Sequence, residues 1–271
     1  MNLNTVSEVQ RPRTLEEVAG WRPGNAWLAG GTWLFSEPQP AIDTLIDLEM
    51  LGWPSLTVND AGLEIGATCR IAELYEFKAP PEWTDASLIH ECCRSFLSSF
   101  KIWNEATVGG NIVMSLPAGP MISLTVALEG VYELWPREGE ARRVPGIDFI
   151  TGQHANVLTP GELLRAIHLP ASSLRERHAF RRASLTHLGR SSVLLIGTRG
   201  TGDLLLTVTA ATIRPVQIRF NEKPNAHELR AAIDAGIPPE LYLDDVHGSP
   251  AHRRHLTYHF AAEICEELFA S

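Results

Sequence analysis

The sequence is short of cysteine and of positive charge, and it has no long apolar run. Its 271 residues include four cysteines: Cys69, the adjacent Cys92 and Cys93, and Cys265. That spacing matches neither a zinc ribbon nor an iron–sulfur ligand run, and a chain of this length needs no disulfide framework. The thiols read as ordinary buried or surface groups. Lys and Arg number 23 against 32 Asp and Glu, a formal charge of −9, which repels a phosphate backbone and argues against nucleic-acid binding. No apolar stretch approaches membrane-spanning length, and Met1 to Thr5 carries no basic flank leading into an apolar segment, so we expect a cytoplasmic protein with no membrane span. Gly-x-Ser-x-Gly and Walker sequences are both missing, which leaves serine hydrolase and P-loop chemistry without support.

What is present is a globular composition, 44% apolar and 20% charged, in a chain longer than one hydrophobic core usually serves. Thr14 with Glu17 has the form of a capping box opening a short helix that Pro23-Gly24 stops. Ala26 to Ala29 reads as a strand entering a glycine turn, with a helix after it before Pro38 and Pro40. Leu45 to Leu48 reads as a buried strand. Leu63 to Ala67 alternates at period two and precedes a helical Ile71 to Leu74, and Ala86 to Phe100 has helical apolar spacing. Ala106 to Gly119 is rich in small residues, Ile122 to Leu128 is compatible with a helix, and Val131 to Trp135 is a strand whose return partner is Ala141 to Val144. After Pro170 the pattern changes. Leu204 to Ile213 and Val216 to Phe220 are strands, Gly197 to Gly202 is a hairpin turn, and His227 to Ala235 is a helix closed by Gly236. Ser249-Pro250 caps a last helix with Leu256, Phe260, Ile264 and Leu268 along one face.

Two double-glycine loops carry the strongest chemical signal: Leu28-Ala29-Gly30-Gly31-Thr32-Trp33-Leu34 and Ala106-Thr107-Val108-Gly109-Gly110-Asn111-Ile112. Consecutive glycines let backbone approach a diphosphate closely and present N–H donors in one concavity, to which Thr32 and Thr107 add hydroxyls. Either loop alone reads as a tight turn; two with similar flanks point to a shared ligand. His252, His255 and His259 share helical spacing, but no carboxylate or thiol completes a metal site, so they read as a solvated face.

These loops and their surroundings resemble the FAD-binding medium subunit of the molybdenum hydroxylases, the relatives of xanthine dehydrogenase, aldehyde oxidoreductase and carbon monoxide dehydrogenase. Ala29-Gly30-Gly31-Thr32 is similar to the family's first loop, and Ile102 to Ile112 to its more specific IRN-x-AT-(I/V)-GGNI loop. Ser115 to Gly119, Pro160-Gly161-Glu162-Leu163-Leu164 with His168-Leu169-Pro170, Phe180-Arg181-Arg182-Ala183, and Asp244-Asp245 with His252 to Leu256 follow in the family's order. The resemblance implies an α+β chain. It has a two-subdomain FAD-binding fold of the vanillyl-alcohol-oxidase (PCMH) type over 1–172, with subdomains of about 1–55 and 56–172, and a C-terminal α+β domain with a small antiparallel sheet over 173–271. It implies noncovalent FAD, with the pyrophosphate between Leu28 to Leu34 and Thr107, Val108, Gly109, Gly110 and Asn111. Leu164 matches an apolar residue near the flavin ring, and Arg181 a basic residue beside the isoalloxazine, where a cation stabilises reduced flavin.

The function so implied is electron transfer within a molybdenum hydroxylase: from a molybdopterin-binding large subunit through an iron–sulfur subunit to this FAD, and on to NAD or another acceptor. Two positions depart from the family. Pro120 stands where relatives carry an Asp for the ribityl hydroxyls, so those contacts must come from Ser115 or backbone groups. Trp33 stands where an Asp often follows the first loop, and its indole can stack or simply pack. Without the resemblance, Arg181 reads as a solvated member of the run Arg175, Arg177, Arg181, Arg182 and Arg190. Two rivals remain: a self-sufficient flavin oxidase, whose usual His or Cys attachment is missing from Leu28 to Leu34, and an assembly subunit that has lost FAD.

Overall fold

The computed structural model describes residues 3–18, 20–83 and 86–270. Met1 and Asn2, part of the N-terminal stretch considered above, lie outside them. The chain begins with β1 (Glu8–Gln10), β2 (Asn25–Leu28) and β3 (Thr44–Asp47), which form a parallel sheet in the order β1-β3-β2. The capping box at Thr14 does not form. Leu15–Glu17 is a single 3-10 turn, the Thr14 hydroxyl caps nothing, and Glu17 instead accepts the Arg13 backbone N–H at 2.8 Å. Nor does a helix follow the first glycine loop, which winds through turns alone.

The second layer opens with the hairpin of β4 (Leu56–Asn59) and β5 (Gly62–Gly66). The Asn59 carboxamide accepts the N–H groups of Ala61 and Gly62, and Gly62, at φ +139°, passes so close to the Leu169 carbonyl that any Cβ would collide. Then come α1 (Ile71–Tyr75), α2 (Ser87–Ser95), α3 (Phe100–Trp103), α4 (Val108–Val113) and α5 (Pro120–Ala127). The hairpin β6 (Val131–Trp135) and β7 (Arg142–Pro145) follows as read from the sequence. After α6 (Gly146–Phe149) and the small pair β8 (Ile150–Gly152) and β9 (Ala155–Asn156), β10 (Leu163–Pro170) closes an antiparallel sheet in the order β4-β5-β10-β6-β7. Helix α4 was not evident in the sequence, because a six-residue helix with two glycines has poor propensity. It forms because its first turn is tied to neighbouring backbone: Val108 N–H donates to the Cys69 carbonyl at 2.8 Å and Gly109 N–H to Ala67 at 2.9 Å.

After α7 (Ala171–Leu174), β11 (Arg177–Ala183), β12 (Val193–Arg199), β13 (Leu204–Thr209) and β14 (Val216–Phe220) make an antiparallel meander, backed by α8 (Ala226–Gly236) and α9 (Pro250–Phe269). The turn at Gly200 to Asp203 joins β12 to β13, but Gly197 to Arg199, read as part of that turn, belong to β12 and pair with β13. Strand β12 escaped notice because it is buried on both faces, which erases period-two alternation. Leu194 and Ile196 enter the core of the first 170 residues, while Val193 and Leu195 enter the core beneath α8 and α9. Helix α5 is buried over its whole length and packs against α2, α4, β12 and β13. Its hydroxyls are all partnered: Ser123 with Thr209 at 2.7 Å, and Thr125 with the Tyr132 hydroxyl at 2.6 Å. Helix α9 starts at Ser249, whose hydroxyl accepts the His252 N–H at 3.3 Å. Its buried line contains Ile264 and Leu268 but runs through Arg253, Thr257 and Ala261 rather than Leu256 and Phe260. The sequence concealed this line because it carries an arginine and a threonine. Arg253 is 1% exposed and gives its protons to the carbonyls of Gly248, Ser192 and Ala210 and to Asp245.

Candidate functional site

The two glycine loops meet. Strand β2 releases the chain at Leu28, and Gly31 takes φ +67°, the left-handed region open to glycine. The Phe35 N–H returns to the Gly31 carbonyl at 2.8 Å. Gly30 lies so near the second loop that a Cβ there would sit 1.6 Å from the Glu105 carbonyl oxygen. Only a glycine permits that approach. Among the described residues, the backbone N–H groups of Gly30, Gly31, Thr32, Trp33 and Leu34 have no protein acceptor. A run of adjacent unpaired donors is a fixed positive surface that suits an anion without a cationic side chain.

The second loop is built differently from the sequence expectation. Thr107 is the N-cap of α4 and its hydroxyl oxygen accepts the Gly110 N–H at 3.1 Å. The Val108 and Gly109 N–H groups are spent on Cys69 and Ala67, and that of Asn111 on the Thr107 carbonyl. Val108 and Gly109 are buried behind the loop, and Gly109 presses so closely on Ala67 that a Cβ would lie 2.6 Å from its carbonyl oxygen. This loop therefore offers shape, the Thr107 hydroxyl proton and the Asn111 side chain, whereas the first loop offers backbone donors.

Two clefts share Leu28, Ala29, Gly30 and Thr107 as a common wall. One, about 380 Å³, takes in all of Leu28 to Leu34 together with Thr107, Gly110 and Asn111, and apart from Ser98 is otherwise apolar, with Phe96, Ile102 and Met114. The other, about 350 Å³, is polar, with Asp47, Glu49, Ser55, Thr68, Arg70 and Glu73. Each lies in the size range of small-molecule sites. Phe96 and Met114 escaped the sequence reading as cleft residues, and Ile102 entered it only as the first residue of the second loop's motif: Phe96 looked like a core position of a longer helix, but α2 ends at Ser95 and leaves it half-buried at the cleft. Trp33 also lines the apolar cleft, 37% exposed, with its ring 5.7 Å from that of His154.

Leu164, Arg181 and Ser115 line neither cleft. Leu164 is 3% exposed within the core and borders neither cleft. Arg181 pairs with Leu195 across β11 and β12, on the face covered by α9, and is held by Glu263 at 2.7 Å and Glu267 at 2.6 Å. Strand parity is the reason: Phe180, one residue away, packs toward the first core instead. Ser115, considered for the ribityl hydroxyls, is fully buried; its hydroxyl donates to the Val113 carbonyl at 3.1 Å and accepts from Asn156 at 3.0 Å. Pro120 is the first residue of α5, and Asn111 accepts the next N–H, that of Met121, at 3.1 Å.

All four cysteines are buried and unbridged. Burial pushes the Cys93 thiol up to about 12 and that of Cys265 to about 11, so they stay protonated. Among the described residues no group of three or more His, Cys, Asp or Glu is arranged to hold a metal ion, and His252, His255 and His259 are exposed on α9.

Comparison with known proteins places these features in context. Residues 5–172 match the family described as the FAD-binding domain in molybdopterin dehydrogenase. Xanthine dehydrogenase 1 of Arabidopsis thaliana is 28% identical over 128 residues, which is 43% of this chain and 9% of that protein. The carbon monoxide dehydrogenase medium chain of Afipia carboxidovorans is 36% identical over 74 residues, 27% of this chain and 25% of that one. The alignments thus span only a small part of these curated relatives. Among solved structures, reconstituted CO dehydrogenase from Oligotropha carboxidovorans superposes with a TM-score of 0.80 at 20% identity, covering 98% of this chain and 99% of the other. Quinoline 2-oxidoreductase from Pseudomonas putida 86 gives 0.77 at 16% identity, with complete coverage of both chains.

Proposed function

Because the chain belongs to the family of FAD-binding domains of molybdopterin dehydrogenases, we propose that it is the electron-transfer flavoprotein subunit of a cytoplasmic molybdenum hydroxylase complex. Its cofactor is FAD. The observation that carries the proposal is the run of unpaired N–H groups that starts at Gly30, where the two clefts meet, and continues to Leu34 along the apolar one. These donors suit the pyrophosphate, and the Thr107 hydroxyl and Asn111 face the same space from the second loop. The apolar cleft between Trp33, Phe96, Ile102 and Met114 fits the flavin ring system. The polar cleft, with the acceptors Asp47, Glu49 and Glu73, fits sugar hydroxyls. We assign Leu28 to Leu34, Thr107, Gly110 and Asn111 to direct contact, and Val108 and Gly109 to the backing that fixes the second loop. Leu164 and Arg181 act at most through the packing around them. Residues 1–172 form the cofactor domain in this reading and 173–271 a second domain.

FAD supplies the two-electron chemistry when bound. The chain's own work is to anchor a dianionic linker with backbone dipoles, to keep water from one face of the ring, and to leave an edge open for exchange. No residue in Leu28 to Leu34 is a His or Cys, so attachment is noncovalent. Electrons reach this subunit from an iron–sulfur partner supplied by a molybdopterin-binding large subunit and leave to NAD or another acceptor. Carbon monoxide dehydrogenase and xanthine dehydrogenase, named among the relatives, support this class of complex. Flavin absorbance of purified protein after FAD addition tests the binding half of the proposal: a shifted, structured flavin band at one equivalent is expected, and no uptake would favour an assembly subunit without cofactor.

A further inference from the structure

A third cleft, about 540 Å³ and larger than either cleft at the glycine loops, lies between residues 13–18, the β6–β7 hairpin and the start of β10. Three of the seven tryptophans, Trp27, Trp53 and Trp135, line it. A fourth, Trp21, lies against Trp27 with ring centroids 4.9 Å apart. All four are partly exposed, and the Trp27 indole N–H is buried with no hydrogen-bond partner. Trp53 and Trp135 meet edge to face at 5.8 Å. Behind them lies Arg165, the residue at which β10 slips its register against β6. Such a bulge re-aims a side chain. Its guanidinium sits 4.7 Å from the Trp53 ring and 5.4 Å from that of Trp135, while its Nε and Nη1 are buried without partners.

The lining of the cleft differs in charge from the chain as a whole, although Glu17, Glu138 and Glu140 stand beside lining residues in the sequence. Arg13 and Arg137 line it against one carboxylate, Glu16, and Arg165 stands behind the indoles. Glu64 and Glu133 are the acids whose charge acts on Arg165, and Glu133 accepts the Trp135 indole N–H at 2.7 Å. Indole faces offer stacking to a flat ring, and guanidiniums select an anion.

We propose that this cleft binds a planar aromatic ring bearing an anionic group, either the phosphate of a nucleotide or the carboxylate of an aromatic acid. The site does not depend on the cofactor assignment, but Trp27 and Trp53 also border the glycine-loop clefts. The test therefore uses FAD-saturated protein, titrated calorimetrically with AMP, salicylate, adenosine and ribose 5-phosphate. Saturable one-to-one binding of AMP or of salicylate is expected and tells which source fits, with adenosine and ribose 5-phosphate weaker by about tenfold. Arg13→Gln, at an exposed position, should weaken the anion about fivefold. Ala141→Trp, a plug placed on the exposed rim, should abolish binding without changing the melting temperature. No binding by either aromatic anion overturns the proposal, as does ribose 5-phosphate binding as tightly as AMP, or unchanged affinity in Ala141→Trp. AMP binding that appears only in FAD-free protein also overturns it, since the cleft would then belong to the cofactor site.

Discussion

The contact between the two glycine loops makes Gly30→Ala the most informative single substitution. A Cβ at Gly30 would lie 1.6 Å from the Glu105 carbonyl oxygen and 2.6 Å from its carbon, whereas ordinary contact starts near 3.4 Å. The two backbones must part by about 1.8 Å, the difference between those distances, and no flexible side chain is available to give way. A shift of that size carries hydrogen bonds of normal length beyond the range in which they hold. Losing two of the charge-assisted bonds to a pyrophosphate, each about 1.5–3 kcal/mol, weakens FAD by about 3–6 kcal/mol, or roughly 10²- to 10⁴-fold. Overpacking should lower the stability of the FAD-free protein by only about 1–3 kcal/mol. Gly202→Ala is the control, because its Cβ meets nothing within 4 Å and the residue borders neither cleft. Equilibrium FAD titration followed by flavin fluorescence, beside urea denaturation of the FAD-free proteins, separates the two effects. Gly30→Ala protein that binds FAD within threefold of the parent would refute the reasoning that the two loops must touch to hold the pyrophosphate.

Other expectations concern single contacts. Trp33→Ala should weaken FAD by about 0.5–1.5 kcal/mol if the indole stacks on the cofactor, read in the same titration, and should leave urea stability nearly unchanged because Trp33 is 37% exposed. Arg253→Met should destabilise the protein by about 3–5 kcal/mol in urea, since it strands the carbonyls of Gly248, Ser192 and Ala210. The Glu162 side chain is 1% exposed, and its bonds to the Arg142 guanidinium hold its pKa below the ordinary 4.5. A depressed carboxyl stabilises the fold above its unfolded value and loses that contribution as pH falls through the folded one, so thermal stability measured below pH 4.5 should fall less steeply in Glu162→Gln than in the parent. Acid precipitation should release the yellow colour into the supernatant, and flavin retained on the polypeptide would contradict noncovalent attachment.

The legible parts of this fold were those with local signals. Period-two alternation marked β5, turn glycines marked the β12–β13 connection, and Ser249-Pro250 marked the start of α9, because each device acts within a few residues of itself. The illegible parts depended on contacts distant in sequence. Helix α4 exists through its bonds to Ala67 and Cys69, and β12 is apolar on both sides because two cores meet across it. The glycine loops were visible as a pair, but the division of labour between them was not. No local pattern says that Val108 and Gly109 spend their N–H groups on a neighbouring turn while Gly30 to Leu34 keep theirs. Arg181 shows a further limit: a motif can identify a strand, yet only the sheet register decides which of two adjacent arginines lies on the face that packs on the core of the first 170 residues. Phe96 became a cleft residue because α2 stops one residue short of it.

The central claim is that this chain relays electrons and does not itself oxidise a substrate. Stopped-flow absorbance of its flavin, mixed with hydroxylase substrates in the presence and absence of the iron–sulfur and molybdopterin subunits, tests that claim most directly. The account predicts rapid flavin reduction only when both partners are present, and none in the isolated FAD-loaded protein. Rapid, substrate-specific reduction of the isolated chain would contradict it and identify a self-sufficient flavin oxidase.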